Sequence, residues 1–168
     1  MTGSTENAVC LFDRGTAGQT TKPRDIVIER LRVTLFSEAI GETNSIHLRR
    51  DAARAAGYPD VVAPPTFGTV IDMAALQDTA RDGDPDIHQL IKADFRFLLH
   101  GEEKYTYHGP IFAGDTVTHQ STVLGFSQAT GGRIEIAHLQ TSIAHPERGL
   151  LVDSRRALIH NLKGLASR

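Results

Sequence analysis

The chain of 168 residues carries one cysteine, Cys10. A lone cysteine cannot form an internal disulfide, and this usage fits a reducing compartment, so the expected location is cytoplasmic. No apolar run approaches the ~18 residues that a membrane-spanning helix needs. The N-terminus lacks a basic region followed by a long apolar stretch, so no secretory leader is expected. Basic runs and stripes are also missing, and the net charge is −2, which argues against a nucleic-acid partner. The eight histidines show no compact ligand spacing such as His-Glu-x-x-His, and no metal or other cofactor is expected. There is no Gly-x-Ser-x-Gly nucleophile elbow, no phosphate loop, no internal repeat and no low-complexity segment.

What is present suits one ordinary domain. At this length a domain buries about two thirds of its unfolded surface and needs no metal or disulfide to fold. Hydrophobic residues make up 40% and charged residues 23%, the balance of a soluble globular protein. Residues 1–24, rich in Gly, Thr and other polar residues, read as a flexible tail in which residues 8–12 pack locally. Residues 25–168 read as a single domain.

Residues 25–33 alternate in part and suggest an edge strand. Thr34 is placed to cap a short helix over 35–40, stopped by Gly41. Residues 51–56 are helix-prone and Gly57 stands where a C-terminal cap belongs. Pro64 and Pro65 open a longer helix, since proline at the first turn loses nothing by having no N–H. Phe67, Val70, Ile71, Ala74 and Ala75 then recur at helical spacing. After a polar connection at 80–88, segments 90–99, 104–107, 116–126, 133–145 and 151–161 read as strands. Glycine- and proline-containing breaks at Gly101, Gly109-Pro110, Gly114-Asp115, Gly131-Gly132 and 146–149 separate them. Helices followed by antiparallel strands predict an α+β layer. The order predicts a hot-dog fold, an antiparallel sheet wrapped around a long central helix. Its open edge would be covered by a second subunit.

Two segments carry candidate chemistry. Gly41-Glu42-Thr43-Asn44-Ser45-Ile46-His47 places a carboxylate, an amide and an imidazole within six residues. Thr66, Phe67 and Gly68 stand at the start of the long helix, where backbone N–H groups can receive negative charge. Together they suit an acyl-thioester site, with an acid/base pair on a loop facing N–H donors. The plain alternative for the loop is a solvated turn capped by Asn44. For Gly68 it is close helix–sheet packing.

The segments 39–47, 51–58 (DAARAAGY), 61–67 (VVAPPTF) and 99–115 (LHGEEKYTYHGPIFAGD) together resemble the MaoC-like dehydratases, or R-specific enoyl-CoA hydratases. The resemblance is to the N-terminal, FAS1-like dehydratase-half type, and it runs over residues 28–162. It implies a hot-dog enzyme acting on CoA or acyl-carrier-protein thioesters without a cofactor. The implied reaction is addition of water to a trans-2-enoyl thioester, or its reverse. By the same resemblance, Glu42 and His47 do the proton work and Asn44 orients the loop or the water. An N–H from Thr66, Phe67 or Gly68 would bind the thioester oxygen. The implied assembly is a homodimer, or a heterodimer with another hot-dog subunit.

The chain departs from the family pattern in three places. Glu42 stands for an aspartate, Ser45 for a proline, and Ala63-Pro64 for His-Gly. Proline has no N–H, so neither Pro64 nor Pro65 can be the oxyanion donor. Two alternatives therefore stand beside the hydratase: a non-catalytic acyl-binding subunit of a heterodimeric dehydratase, and an acyl-CoA thioesterase. Tyr105, Tyr107 and His108 read as fold and dimer residues, and Asp115 as a turn residue. Arg49, Arg50 and Arg54 either meet CoA phosphates or solvate a helix face.

Overall fold

Four long antiparallel strands from the second half of the chain and one short strand from the first make a single sheet. The computed structural model describes residues 11–131 and 133–161. Its elements are β1 (Arg24–Val27), α1 (Arg30–Ala39), α2 (Arg50–Ala55), α3 (Gly68–Asp82), α4 (Ile87–Leu90), β2 (Leu98–Tyr107), β3 (Thr116–Ala129), β4 (Ile134–His145) and β5 (Gly149–Asn161). The strand order is β1-β3-β4-β5-β2, with every pair antiparallel. Alternation fixes the register. On β4, Glu135, Ala137, Leu139, Thr141 and Ile143 are buried, and the residues between them are more exposed. A one-residue slip would turn this whole set outward.

Helix α3 lies against the inner face. Ile71, Ala74 and Ala75 join Ile26, Val117, Ile143 and Val152 in the main core. The small alanines let the helix approach the sheet closely. Gly83, at φ +71°, ends the helix in a left-handed cap that an L side chain adopts only with strain. A second core lies toward the other end, where Ile87 and Ile91 meet Val123, Leu139 and Leu158.

A charged layer crosses the inner face beneath α3. The Asp72 carboxylate lies 2.5 Å from His119 Nε2 and 3.1 Å from an Arg156 terminal nitrogen. Arg156 also donates to Thr141 Oγ1, and Thr141 meets Ser121 at 3.0 Å. One carboxylate thus ties the helix directly to β3 and β5, and through Arg156 to β4.

Several sequence-based expectations shift. The first strand ends at Val27, and α1 starts at Arg30, so Thr34 lies inside the helix with its hydroxyl on the Arg30 and Leu31 carbonyls. The first turn is anchored from outside, by the Arg30 guanidinium on both oxygens of Asp60. Segment 90–99 is strand only at Leu98 and Leu99, where β2 starts. Asp86 and Gln89 form a capping box that nucleates α4 instead. The expected strand at 104–107 is the end of β2, which runs unbroken through Gly101 with a register shift between His100 and Glu103. A Cβ at Gly101 would stand 2.6 Å from Ile159, so glycine there permits a close strand approach.

Residues 11–24 are not a loose tail. Glu135, fully buried on β4, accepts the N–H groups of Leu11 and Phe12 and the Arg14 Nε. The Phe12 ring stacks on His160 at 3.7 Å. The segment then runs along β3, with Gly18 N–H on the Val123 carbonyl and Thr21 N–H on the Ser121 carbonyl. The part of the expected tail before residue 11, including residues 8–10, lies outside the described residues.

Removing one partner from a buried ion pair leaves the other charge stranded. Asp72→Ala is therefore expected to lower the unfolding free energy by about 3–5 kcal/mol, measured by urea denaturation. A loss below ~1 kcal/mol would show that the layer contributes little to stability.

Candidate functional site

The loop after α1 is shaped by its own backbone. Gly41, at φ +74°, turns the chain out of the helix. Glu42 then bends back on the loop: its Oε1 accepts the N–H groups of Thr43 at 2.8 Å and Asn44 at 2.9 Å. These two donors hold the Glu42 carboxyl below the usual carboxylate range, with the His47 charge as a smaller help. Asn44 caps the 3-10 turn Ser45–His47, its side-chain oxygen accepting the Ile46 N–H.

That turn aims His47. Its Nδ1 lies 2.7 Å from the Val62 carbonyl, which can only accept, so Nδ1 carries the proton. Nε2 is left as the nitrogen able to take one. The Val62 strip is itself fixed on both sides. Val62 N–H bonds the Ile46 carbonyl, Ala63 N–H the Ile111 carbonyl, and Ala113 N–H the Val61 carbonyl.

His47 opens onto a cavity of about 450 Å³, within the range of small-molecule sites. Tyr58, Pro64, Pro65, Phe67 and Gly68 line one side, and Tyr107, His108, Pro110, Ile111 and Val152 the other. The wall is mostly apolar, and Tyr107 is tied across it, its hydroxyl donating to the Pro65 carbonyl at 2.9 Å. Of the residues expected from sequence, His47, Phe67 and Gly68 meet at this cavity. Glu42, Asn44 and Thr66 are not part of its lining. Gly68 lines the cavity, and a Cβ there would stand 3.1 Å from the Tyr105 ring.

The donors at the helix start can be counted. Pro64 and Pro65 have none, Phe67 N–H bonds the Pro64 carbonyl, and Gly68 N–H the Thr66 carbonyl. Among the described residues, the Thr66 N–H is the one donor of this start that no turn bond uses, and Thr66 is exposed.

Sequence reasoning did not place Tyr58, His108, Pro110, Ile111 or Val152 at the site. Strand pairing and the 109–114 loop bring them there, and only the resemblance over 99–115 pointed to that stretch. Asp115 braces this loop: it accepts the Phe112 N–H at 2.7 Å and pairs with Arg148, which donates to the Pro110 carbonyl. The expected phosphate-facing arginines are engaged with the protein. Arg49 pairs with Asp51, Arg50 with Asp60, and Arg54 donates to the Pro59 carbonyl.

Residues 15–149 match the family described as "FAS1-like, dehydratase domain region". The chain is 32% identical to a UPF0336 protein of Streptomyces griseus over 142 residues, 84% of this chain and 89% of the relative. It is similar in structure to the C-terminally truncated HadBC (3R-hydroxyacyl-ACP dehydratase) complex of Mycobacterium tuberculosis. The TM-score there is 0.68 at 19% identity, covering 86% of this chain and 96% of that one. A MaoC-like dehydratase superposes with a TM-score of 0.72 at 18% identity, covering 90% of this chain and 44% of that one. The fold is the hot-dog fold of the MaoC-like dehydratases and hydratases. Within it, the chain belongs to the FAS1-like dehydratase domain family.

The back of the site depends on Asp60, which joins α1, α2 and the Val61 strip. Hydrogen bonds from Arg30 lead in lowering its carboxyl from 3.8 to about 2, helped by the Val61 N–H and the Arg50 charge and opposed by burial. A folded-state value below the unfolded one stabilises the protein above the unfolded value, and that contribution fades as pH falls toward the folded value. Wild type is expected to lose stability between pH 3.8 and about 2 more steeply than Asp60→Asn. Chemical denaturation across that window measures the difference.

Proposed function

We propose that the chain is the acyl-holding subunit of a hot-dog hydratase/dehydratase. The reaction is interconversion of a trans-2-enoyl thioester and a 3-hydroxyacyl thioester, carried on CoA or an acyl carrier protein. The carboxylate–histidine pair comes from a second hot-dog subunit joined at the open β2 edge.

Hydration needs a base for the attacking water, an acid for Cα and a donor for the thioester oxygen. The observation that carries the proposal is the division of the expected pair. His47 lines the cavity, while Glu42 has one carboxylate oxygen on the Thr43 and Asn44 N–H groups and stands outside the lining. Two prolines at the helix start remove donors as well. What this chain supplies is an apolar cavity suited to an acyl group. HadBC, on the same fold, is a 3R-hydroxyacyl-ACP dehydratase complex.

A second reading is a self-sufficient hydratase. It is favoured by the fixed His47 tautomer, which leaves Nε2 free to act as a base. In that case Glu42 would exchange its two backbone donors for the water.

An enoyl-CoA panel on the purified chain separates the two. Saturable binding without turnover is expected from the chain alone, and turnover after co-expression with a hot-dog subunit bearing an Asp–His pair. Hydration by the chain alone, lost by ~10²-fold or more in His47→Ala, would overturn the proposal for the second reading. Release of free CoA from saturated acyl-CoA would identify a thioesterase instead.

A further inference from the structure

The outer face of the sheet carries an electrostatic conflict. Lys104 on β2 stands directly opposite Arg155 on β5. Alternation turns both away from α3, because their neighbours Tyr105 and Arg156 face that helix at Gly68 and Asp72. Both side chains are exposed. Like charges at directly opposed positions of an antiparallel pair repel and destabilise it. Elsewhere the chain matches its cations. Among the described residues, every other arginine and lysine has an ion pair or a hydrogen bond. Lys104 and Arg155 have neither.

The pair borders a cavity of about 410 Å³. Ala157, two residues on along β5, is small, and the larger side chains of Lys104, Arg155, His138 and Leu124 stand around it. No residue lines both this cavity and the one at His47.

The surroundings limit what the pair can hold. Glu102 lines the same cavity. Asp153 lies two residues before Arg155 on the same face, about 7 Å along the strand, with one oxygen on the Gln140 amide. Neither carboxylate pairs with Lys104 or Arg155. A broad acidic surface would meet both carboxylates, whereas a compact dianion set between the two cations would not. A strand added at the open β2 edge lies in the plane of the sheet and leaves this face uncovered.

We infer that Lys104 and Arg155 form a binding site for one phosphate group, separate from the His47 cavity. The Arg155 guanidinium takes two phosphate oxygens and the Lys104 ammonium a third. The phosphate is either the free ion or the end of an organic ester, and its charge removes the repulsion between the two cations.

The test is calorimetric titration of inorganic phosphate, and separately of adenosine 3′,5′-bisphosphate, into the chain at low ionic strength. Wild type is compared with Lys104→Gln, Arg155→Gln and Glu102→Gln, each checked for folding by circular dichroism. Wild type is expected to bind inorganic phosphate saturably. Each cation-to-glutamine variant should weaken binding about tenfold or more. Glu102→Gln removes a nearby negative charge and should strengthen it. Tighter binding of the bisphosphate than of the free ion, lost in the same two variants, assigns the site to an organic ester. Equal or weaker binding of the bisphosphate assigns it to the free ion. Absence of saturable binding by wild type, or affinity unchanged in Lys104→Gln and Arg155→Gln, overturns the inference.

Discussion

An aspartate in the middle of the helix that packs the sheet is a demanding choice, because a carboxylate taken out of water must be matched by charge and hydrogen bonds. Asp72 is matched by His119 from β3 and Arg156 from β5. Hydrophobic contact would let α3 slide or rotate on the sheet at little cost, since its buried face is largely Ala74, Ala75 and Ile71. The Arg156 ion pair and the His119 contact allow one placement. That placement puts Gly68, one turn earlier, against Tyr105 and at the cavity wall. Buried ion pairs add less stability than their geometry suggests. Here their effect is on position, and the site inherits it.

The cavity is assembled from strips that are distant in sequence. Residues 61–63 bond the loop bearing His47 on one side and residues 111–113 on the other. Asp60 and Asp115 hold the two ends of this seam, the first through Arg30 and Arg50, the second through Arg148. His47 is thus oriented by backbone that is itself pinned, whereas Glu42 is oriented only by its own loop. The two residues that the spacing pairs so closely are thus constrained in different ways.

Strands β3, β4 and β5 were legible because their limits are written as turns: Gly114-Asp115, Gly131 and Gly149 all fall at or beside strand ends. The helix over 68–82 was legible from its apolar spacing and its prolines. Two of the misread segments show why. In α1, Leu31 and Leu35 are more than half exposed while Val33 is fully buried, so hydropathy there does not report the buried face. Across 90–99, apolar residues fill the second core from a helix and turns, and the Asp86–Gln89 box that starts them carries little hydrophobic signal. At the site, His47 and the helix start could be read from the chain. The direction of the Glu42 carboxylate could not, since it depends on where two loop N–H groups point.

The pairing of the front of the chain with Glu135 has a consequence for biosynthesis. Leu11 leaves the ribosome 124 residues before the carboxylate that accepts its N–H. At about 5–20 residues per second the wait is roughly 6–25 s. Until then the first described residues have no ladder to join, and the Phe12 ring has no imidazole beneath it. The strap therefore waits for β4, although it is made well before it. Until β4 and β5 arrive, Leu11 and Phe12 lack the partners they meet in the fold.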